Sequence, residues 1–382
     1  MPLAGRSCGP RRRVVTKDQV SSMSAIISDQ NAFAQLCREL AQHRSLGLDT
    51  EFMRERTYFA QLCLLQLSFG EQAVCIDTLA LPDLSPLRAT MASAAIGKVL
   101  HAARQDLEVL GPATGPVLGL FDTQVAAALI GLPAQIGYGD LVSQLLGRRL
   151  HKAETRTDWS RRPLSGAQLA YALDDVRYLQ PLCEQLTERL RQLGRWNWFE
   201  EEMAQLDAVG SFAIDPDESW RRLKGIAELD AARQSLARAL AAWRERRAIS
   251  SDRPRNWILP DAALRDIVMH VPRSRTELAK TAELPEGIRN NSGAEILALI
   301  EAERLPRSLP PLPRRQRPEA AETELLRKLS QLTQQAGREL GVAPEILATR
   351  RDMQRLVNGA RDGGPLSGWR RAVIGERLLQ AL

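Results

Sequence analysis

The chain has 382 residues, which at roughly 150 residues per domain predicts two or three domains. Hydrophobic residues make up 44% and charged residues 26%, an ordinary globular balance. No apolar run reaches the ~20 residues of a bilayer span, which excludes a transmembrane protein. Five scattered cysteines without a C-x-x-C pair, and only four histidines, leave no local zinc motif and point to a reduced, cytoplasmic protein.

The formal charge of +6 is unevenly spread. Residues 1–22 carry net +4, and their sequence reads as a basic, disordered tail. Residues 23–208 hold 17 cations and 22 anions, net −5, and residues 209–382 hold 30 and 23, net +7. Arginine outnumbers lysine 46 to six, a bias that genomic base composition explains and that also suits phosphate binding.

In chain order, residues 45–79 read as strands: SLGLDTEF, QLCLLQLSF and AVCIDTL are short apolar runs separated by turn residues. ASAAIGKVLHA reads as a helix end and a strand. RQDLEVLG reads as a helical turn closed by Gly111 and Pro112, and DTQVAAALIG as a helix ended by Gly131 and Pro133. LSGAQLAYALDDVRYLQPL is a helix with Ser165 and Gln168 as a capping box and Leu164 placed for a staple. The mixture predicts one α/β domain over 23–208. Strand signals then vanish. Residues 212–304 read as a compact all-helical domain, with Ser274 and Glu277 as a second capping box, and 305–319 as a Pro/Arg-rich linker. Residues 320–382 read as a last helical domain.

Three acidic elements fall within the α/β part. Asp49 and Glu51 stand two apart near the end of a strand, so both face one side of the sheet. Two such carboxylates repel and need a cation to stay ionised together, and Mg2+ or Mn2+ prefers oxygen ligands. A solvated D-x-E on an edge strand is the plainer alternative. Asp106 follows a short strand and opens a helical turn. Tyr171 and Asp175 are spaced i, i+4 on one helix face, with Asp175 bordering the apolar stripe and Asp174 pointing nearly opposite it.

The blocks LDTEFMRERTYFAQLCLLQL, HAARQDLEVL, FDTQVAAALIG, RTDWSRRPLS and YALDDVRYL resemble the ribonuclease D family, over about residues 25–195. The stretch around WRRLKG, WRERRA and RPRNWILPDAALRDIV is similar to the HRDC domain that follows in that family, and 320–382 is weakly similar to a second, diverged one. The resemblance implies a ribonuclease H-like fold, a mixed sheet flanked by helices, followed by two small all-α HRDC-like domains. It implies a 3′→5′ exoribonuclease of the four-carboxylate class and tyrosine subclass. Such an enzyme removes 5′-monophosphates from RNA 3′ ends, chiefly of tRNA precursors and other small structured RNAs, and no obligate protein partner is inferred. It also implies the roles. Asp49, Glu51, Asp106 and Asp175 hold two divalent metal ions, Mg2+ or Mn2+, and Tyr171 positions the attacking water.

Phe52, Tyr58, Gln124, Lys152 and Arg156 are candidate substrate contacts: aromatics can stack on bases and cations can touch phosphates. Asp122, Asp158, Trp159 and His101 read as structural or supporting residues. A DNA exonuclease would use the same acidic site, so the site residues leave it open, and the net +7 helical half leaves open a non-catalytic RNA-binding protein. A P-loop helicase is excluded, because no G-x-x-x-x-G-K motif is present.

Overall fold

The computed structural model describes residues 26–150, 157–208, 215–303 and 320–382. The expected tail 1–22 and linker 305–319 lie outside the described residues. The α/β part is ordered β1 (Ile26–Ile27), α1 (Gln30–Leu40), β2 (Ser45–Met53), β3 (Gln61–Phe69), β4 (Gln72–Asp77), β5 (Gly97–Leu100), α2 (Arg104–Thr114), β6 (Leu120–Asp122), α3 (Thr123–Leu129), α4 (Tyr138–Leu146), α5 (Gly166–Arg177), α6 (Leu179–Gln192) and α7 (Trp196–Ala208). Its six strands form one sheet in the order β1-β4-β3-β2-β5-β6. β3 is antiparallel to β2 and β4, while β5 runs parallel to β2 and β6 parallel to β5.

The sheet interior explains why QLCLLQLSF does not alternate: from Cys63 to Phe69 every residue of β3 is buried, because helices cover both faces. α1 starts where the Asp29 carboxylate accepts the amides of Asn31 and Ala32, at 3.0 and 2.9 Å, and it buries Phe33, Leu36, Cys37 and Leu40.

The stop expected at Gly111 and Pro112 is not where α2 ends. The helix runs on to Thr114 with the proline inside it. Val109, Leu110 and Thr114 are buried and hold this last turn against the core, and Gly115, at φ +78°, supplies the reversal that ends it. Tertiary packing outweighs the donor that proline lacks.

The two helical parts behave differently. In the middle one, α8 (Ala231–Ser251), α9 (Asp261–His270) and α10 (Glu286–Ala302) enclose a core of their own around Leu236, Leu240, Leu264, Ile267 and Ile296. Ser274 accepts the Glu277 amide, but the Glu277 carboxylate takes the Arg273 amide instead of completing the box. The C-terminal part, with α11 (Ala320–Leu340) and α12 (Arg350–Val357), has no separate core: Leu329, Ala336, Leu347, Leu356 and Trp369 join the same buried cluster as the sheet. Trp369 stacks on Trp198 of α7, centroids 4.4 Å apart, and its indole N–H donates to Glu202 at 2.8 Å. Arg370 pairs with the same carboxylate. Gly131, at φ +99°, lets the turn after α3 approach: a Cβ there would sit 2.3 Å from the Gly341 carbonyl oxygen. No helix among the described residues is long and apolar enough to cross a membrane.

Trp369→Ala removes a buried ring from this joint and is expected to cost about 3–5 kcal/mol. Calorimetry should show the transition of the sheet and C-terminal part moving down, with that of the middle helical domain unmoved.

Candidate active site

A cleft of about 1000 Å3 opens over the end of β2. Asp49, Glu51, Asp106, Tyr171 and Asp175 all line it. The extended backbone of β2 sends Asp49 and Glu51 to the same side. A register shift between Glu51 and Phe52, where β2 pairs with β3, breaks the alternation just beyond them. α5 supplies the opposite wall. Its N-terminus is fixed by the expected reciprocal box: the Ser165 hydroxyl accepts the Gln168 amide at 3.2 Å, and the Gln168 carboxamide oxygen accepts the Ser165 amide at 2.7 Å. Leu164 and Leu169 pack together against the small cluster of Cys63, Cys75 and Ala172, as a staple does. Arg162, just before the helix, grips Asp77 of β4 through two nitrogens at 2.7 Å and the Cys63 carbonyl at 2.8 Å. At the far end the Ser68 hydroxyl donates to the Val176 carbonyl at 2.8 Å.

So held, α5 turns Asp175 toward β2 while Asp174 faces outward to Arg177 at 2.6 Å. One carboxylate oxygen each from Asp49, Glu51 and Asp175 lies within 4.8 Å of the others. Asp106 stands beside this trio, in the first turn of α2, and its Oδ1 accepts the Thr50 hydroxyl at 2.6 Å.

Crowding of like charge shows in the protonation. Burial, then Asp106, Asp175 and Glu51, hold the Asp49 carboxyl well above the usual carboxylate range. Burial and the neighbouring Asp175 push Glu51 to about 8. Burial raises Asp175 to about 7 against the opposing Tyr171 hydroxyl, and raises Asp106 to about 6 against the Thr50 hydroxyl. The Tyr171 phenol is pushed up by burial and by Asp175, so it keeps its proton at neutral pH. Four oxygen-only donors that repel one another and face a cleft fit a hard divalent cation, which relieves the repulsion.

The turn into α2 was not legible beforehand. Ala102 stands at φ +58°. Asp122 holds it there: its two oxygens accept the amides of Ala102 and Ala103, at 3.1 and 2.9 Å, as well as those of Gln124 and Val125 at the start of α3. Asp122 is therefore a backbone clamp beneath Asp106. His101 is structural too, its ring nitrogens facing the Thr123 hydroxyl and the Ile136 carbonyl at 2.9 Å. Trp159 is buried against Tyr171, and Asp158 caps its own turn through Ser160. Of the proposed substrate contacts, Phe52 and Gln124 line the cleft. The Tyr58 hydroxyl instead donates to Glu245 of α8 at 2.5 Å. Lys152 and Arg156 lie outside the described residues. Sequence reasoning missed Tyr138, which also lines the cleft and ties α4 to α5 through the Asp174 carbonyl at 3.1 Å.

Comparison with known proteins agrees with this geometry. A 3′-5′ exonuclease family matches residues 24–191, and the HRDC domain family matches 233–300. The chain is 38% identical to ribonuclease D of Nitrobacter hamburgensis over 364 residues, 93% of this chain and 94% of that one. The chain belongs to the ribonuclease D family. Ribonuclease D of Granulibacter bethesdensis is 39% identical over 93% of this chain and 91% of its own. The crystal structure of Escherichia coli RNase D superposes with a TM-score of 0.84 at 30% identity, covering 94% of this chain and 98% of that one. Like its ribonuclease D relatives, the chain is a metal-dependent 3′→5′ exoribonuclease, with a mixed-sheet nuclease domain and a helical HRDC region.

The raised carboxyls set a pH dependence. With metal chelated, the folded state keeps protons that the unfolded chain releases between about pH 4 and 8, so stability falls as pH rises through that window. Thermal melts in chelator should show a falling midpoint from pH 5 to pH 8.5, and Mg2+ or Mn2+ should restore it. Asp49→Asn should raise the chelated midpoint by a few degrees at pH 8 and abolish the metal response.

Proposed function

We propose that Asp49, Glu51, Asp106 and Asp175 hold two divalent cations, Mg2+ or Mn2+, at the 3′ end of a bound RNA. In this reading the enzyme trims tRNA precursors and other small structured RNAs in the cytoplasm and releases nucleoside 5′-monophosphates. The observation that carries it is the approach of Asp49, Glu51 and Asp175, one oxygen each within 4.8 Å. Once bound, the cations supply the positive charge that activates water on one side of the phosphate and stabilises the leaving oxygen on the other.

The protein's part is positional. Asp49 feels the charges of Glu51, Asp175 and Asp106 alike, so it would share in holding both cations. Asp106, whose carboxylate accepts the Thr50 hydroxyl beside the trio, would support the second cation. Tyr171, protonated at neutral pH and beside Asp175, orients the attacking water and does not remove its proton. Phe52 and Gln124 line the same cleft, which suits them to contact a terminal nucleotide. The structured-RNA substrate draws support from the E. coli relative, described as an exoribonuclease involved in structured RNA processing. The middle helical domain suits a role in gripping phosphates: Trp257, beside Arg253 and Arg255, is 54% exposed.

Matched 3′-extended RNA and DNA strands, incubated with protein and Mg2+ or Mn2+, should release monophosphates from RNA far faster than from DNA. Asp49→Ala should abolish release without loss of helical circular dichroism. Tyr171→Phe should lower kcat about 100-fold with little change in KM. Equal rates on DNA and RNA would overturn the RNA assignment.

A further inference from the structure

The segment joining β2 to β3, residues 54–60, begins three residues after Glu51. Only two ladder pairs, Phe52 with Leu62 and Met53 with Gln61, separate the register shift beside Glu51 from this loop. A strand end so short is held by whatever holds the loop. One anchor is the Arg54–Glu108 ion pair, 2.7 Å long and partly exposed, which is a weak restraint.

The other anchor comes from the middle helical domain. The Tyr58 hydroxyl donates to Oε1 of Glu245, a carboxylate with 0% exposure inside α8. The amides of Tyr58 and Phe59 both donate to Oδ1 of Asp252, at 3.0 and 3.1 Å. Asp252 sits at φ +46° just past the C-terminus of α8 and so turns its carboxylate toward the loop. Glu245 is held in its turn by Arg222 at 3.4 Å and Arg255 at 3.8 Å. Three hydrogen bonds to carboxylate oxygens, one of them on a buried side chain, outweigh one exposed ion pair.

We propose that Glu245 and Asp252 are positioning residues for the metal site: through Tyr58 and the loop 54–60 they fix the strand end that presents Glu51. The HRDC region then acts on turnover as well as on RNA grip. This rests on the reading of Glu51 as a metal ligand.

The test uses the full chain and a p-nitrophenyl nucleoside phosphodiester, a substrate too small to touch the helical domain. Tyr58→Phe removes one hydroxyl. Asp252→Gly removes the acceptor and tolerates the left-handed backbone. Each is expected to lower kcat about 10-fold with KM unchanged, since displacement of a reacting group by an ångström costs up to about 100-fold. Each should also weaken Mn2+ binding several-fold by electron paramagnetic resonance and speed amide exchange at residues 58–60. Glu245→Gln keeps an oxygen for Tyr58 and should retain most of the turnover, whereas Glu245→Leu should not. Wild-type kcat and Mn2+ affinity in Tyr58→Phe, or a loss confined to KM on long RNA, would overturn the proposal. Glu51→Gln, measured alongside, separates the two readings. If it loses turnover and Mn2+ binding while Tyr58→Phe loses neither, the positioning role alone fails. If Glu51→Gln keeps both, the site assignment fails and the positioning role with it.

Discussion

The structure is organised around an unfavourable contact: carboxylates forced together at the end of one strand. Burial and the neighbouring Asp175 and Asp106 lift Glu51 to about 8, and burial with the adjacent Asp174 lifts Asp175 to about 7. Such a cluster survives only if the backbone around it cannot relax. That is the role of β3 behind it, buried from Cys63 to Phe69, the capping box and Arg162–Asp77 pair ahead of α5, and the four amides gathered by Asp122 below α2. Together they fix the element that carries each carboxylate: β2 for Asp49 and Glu51, α5 for Asp175 and α2 for Asp106. The cation site is therefore a property of the assembled sheet and helices, with no short segment able to form it alone.

The charge distribution follows from the same requirement. An acidic segment of net −5 repels phosphate until cations occupy the cluster, whereas the net +7 of residues 209–382 attracts it throughout. In the proposed function, the nuclease part would favour the scissile end only when loaded with metal. The excess cations of residues 209–382 lie in 304–319 and 320–382, since residues 215–303 balance 15 cations against 15 anions, so those two stretches would draw the rest of the strand. Such a division disfavours unproductive engagement of RNA at an empty site.

Asp49, Glu51, Asp106, Tyr171 and Asp175, which line one cleft, stood out in the sequence through local patterns (a period-two pair, a helix start, an i, i+4 pair beside an apolar stripe), and the resemblance to ribonuclease D joined them into one set. The capping box at Ser165 was legible for the same reason. What escaped depends on partners distant in the chain. Tyr58 looked like a base-stacking residue, yet its hydroxyl binds Glu245, 187 residues away. Asp122 looked like a helix cap and is one, but its grip on Ala102 and Ala103 needs the sheet to bring β6 beside the end of β5. Pro112 looked like a stop, and burial of the surrounding turn overrode it. Local chemistry predicts which groups can act, whereas tertiary contacts decide what they act on.

The same distinction governs how the chain should be divided. By sequence, the nuclease domain ends near residue 208 and two helical units follow. By packing, the chain leaves the nuclease core at α7, builds an independent core over 215–303, and then returns. Trp369, Arg370 and the α11 apolar face complete the surface of α7 that Trp198 and Glu202 present. Truncation after residue 208 would therefore expose a tryptophan face and leave Glu202 without its guanidinium, so lost RNA binding in such a fragment would report damage to the nuclease core. Excising 215–303 alone removes the unit that has its own core and spares this joint. Because both ends of that unit are tied to one body, its docking at Tyr58 is effectively intramolecular, and three hydrogen bonds can suffice where a free domain would need a larger interface.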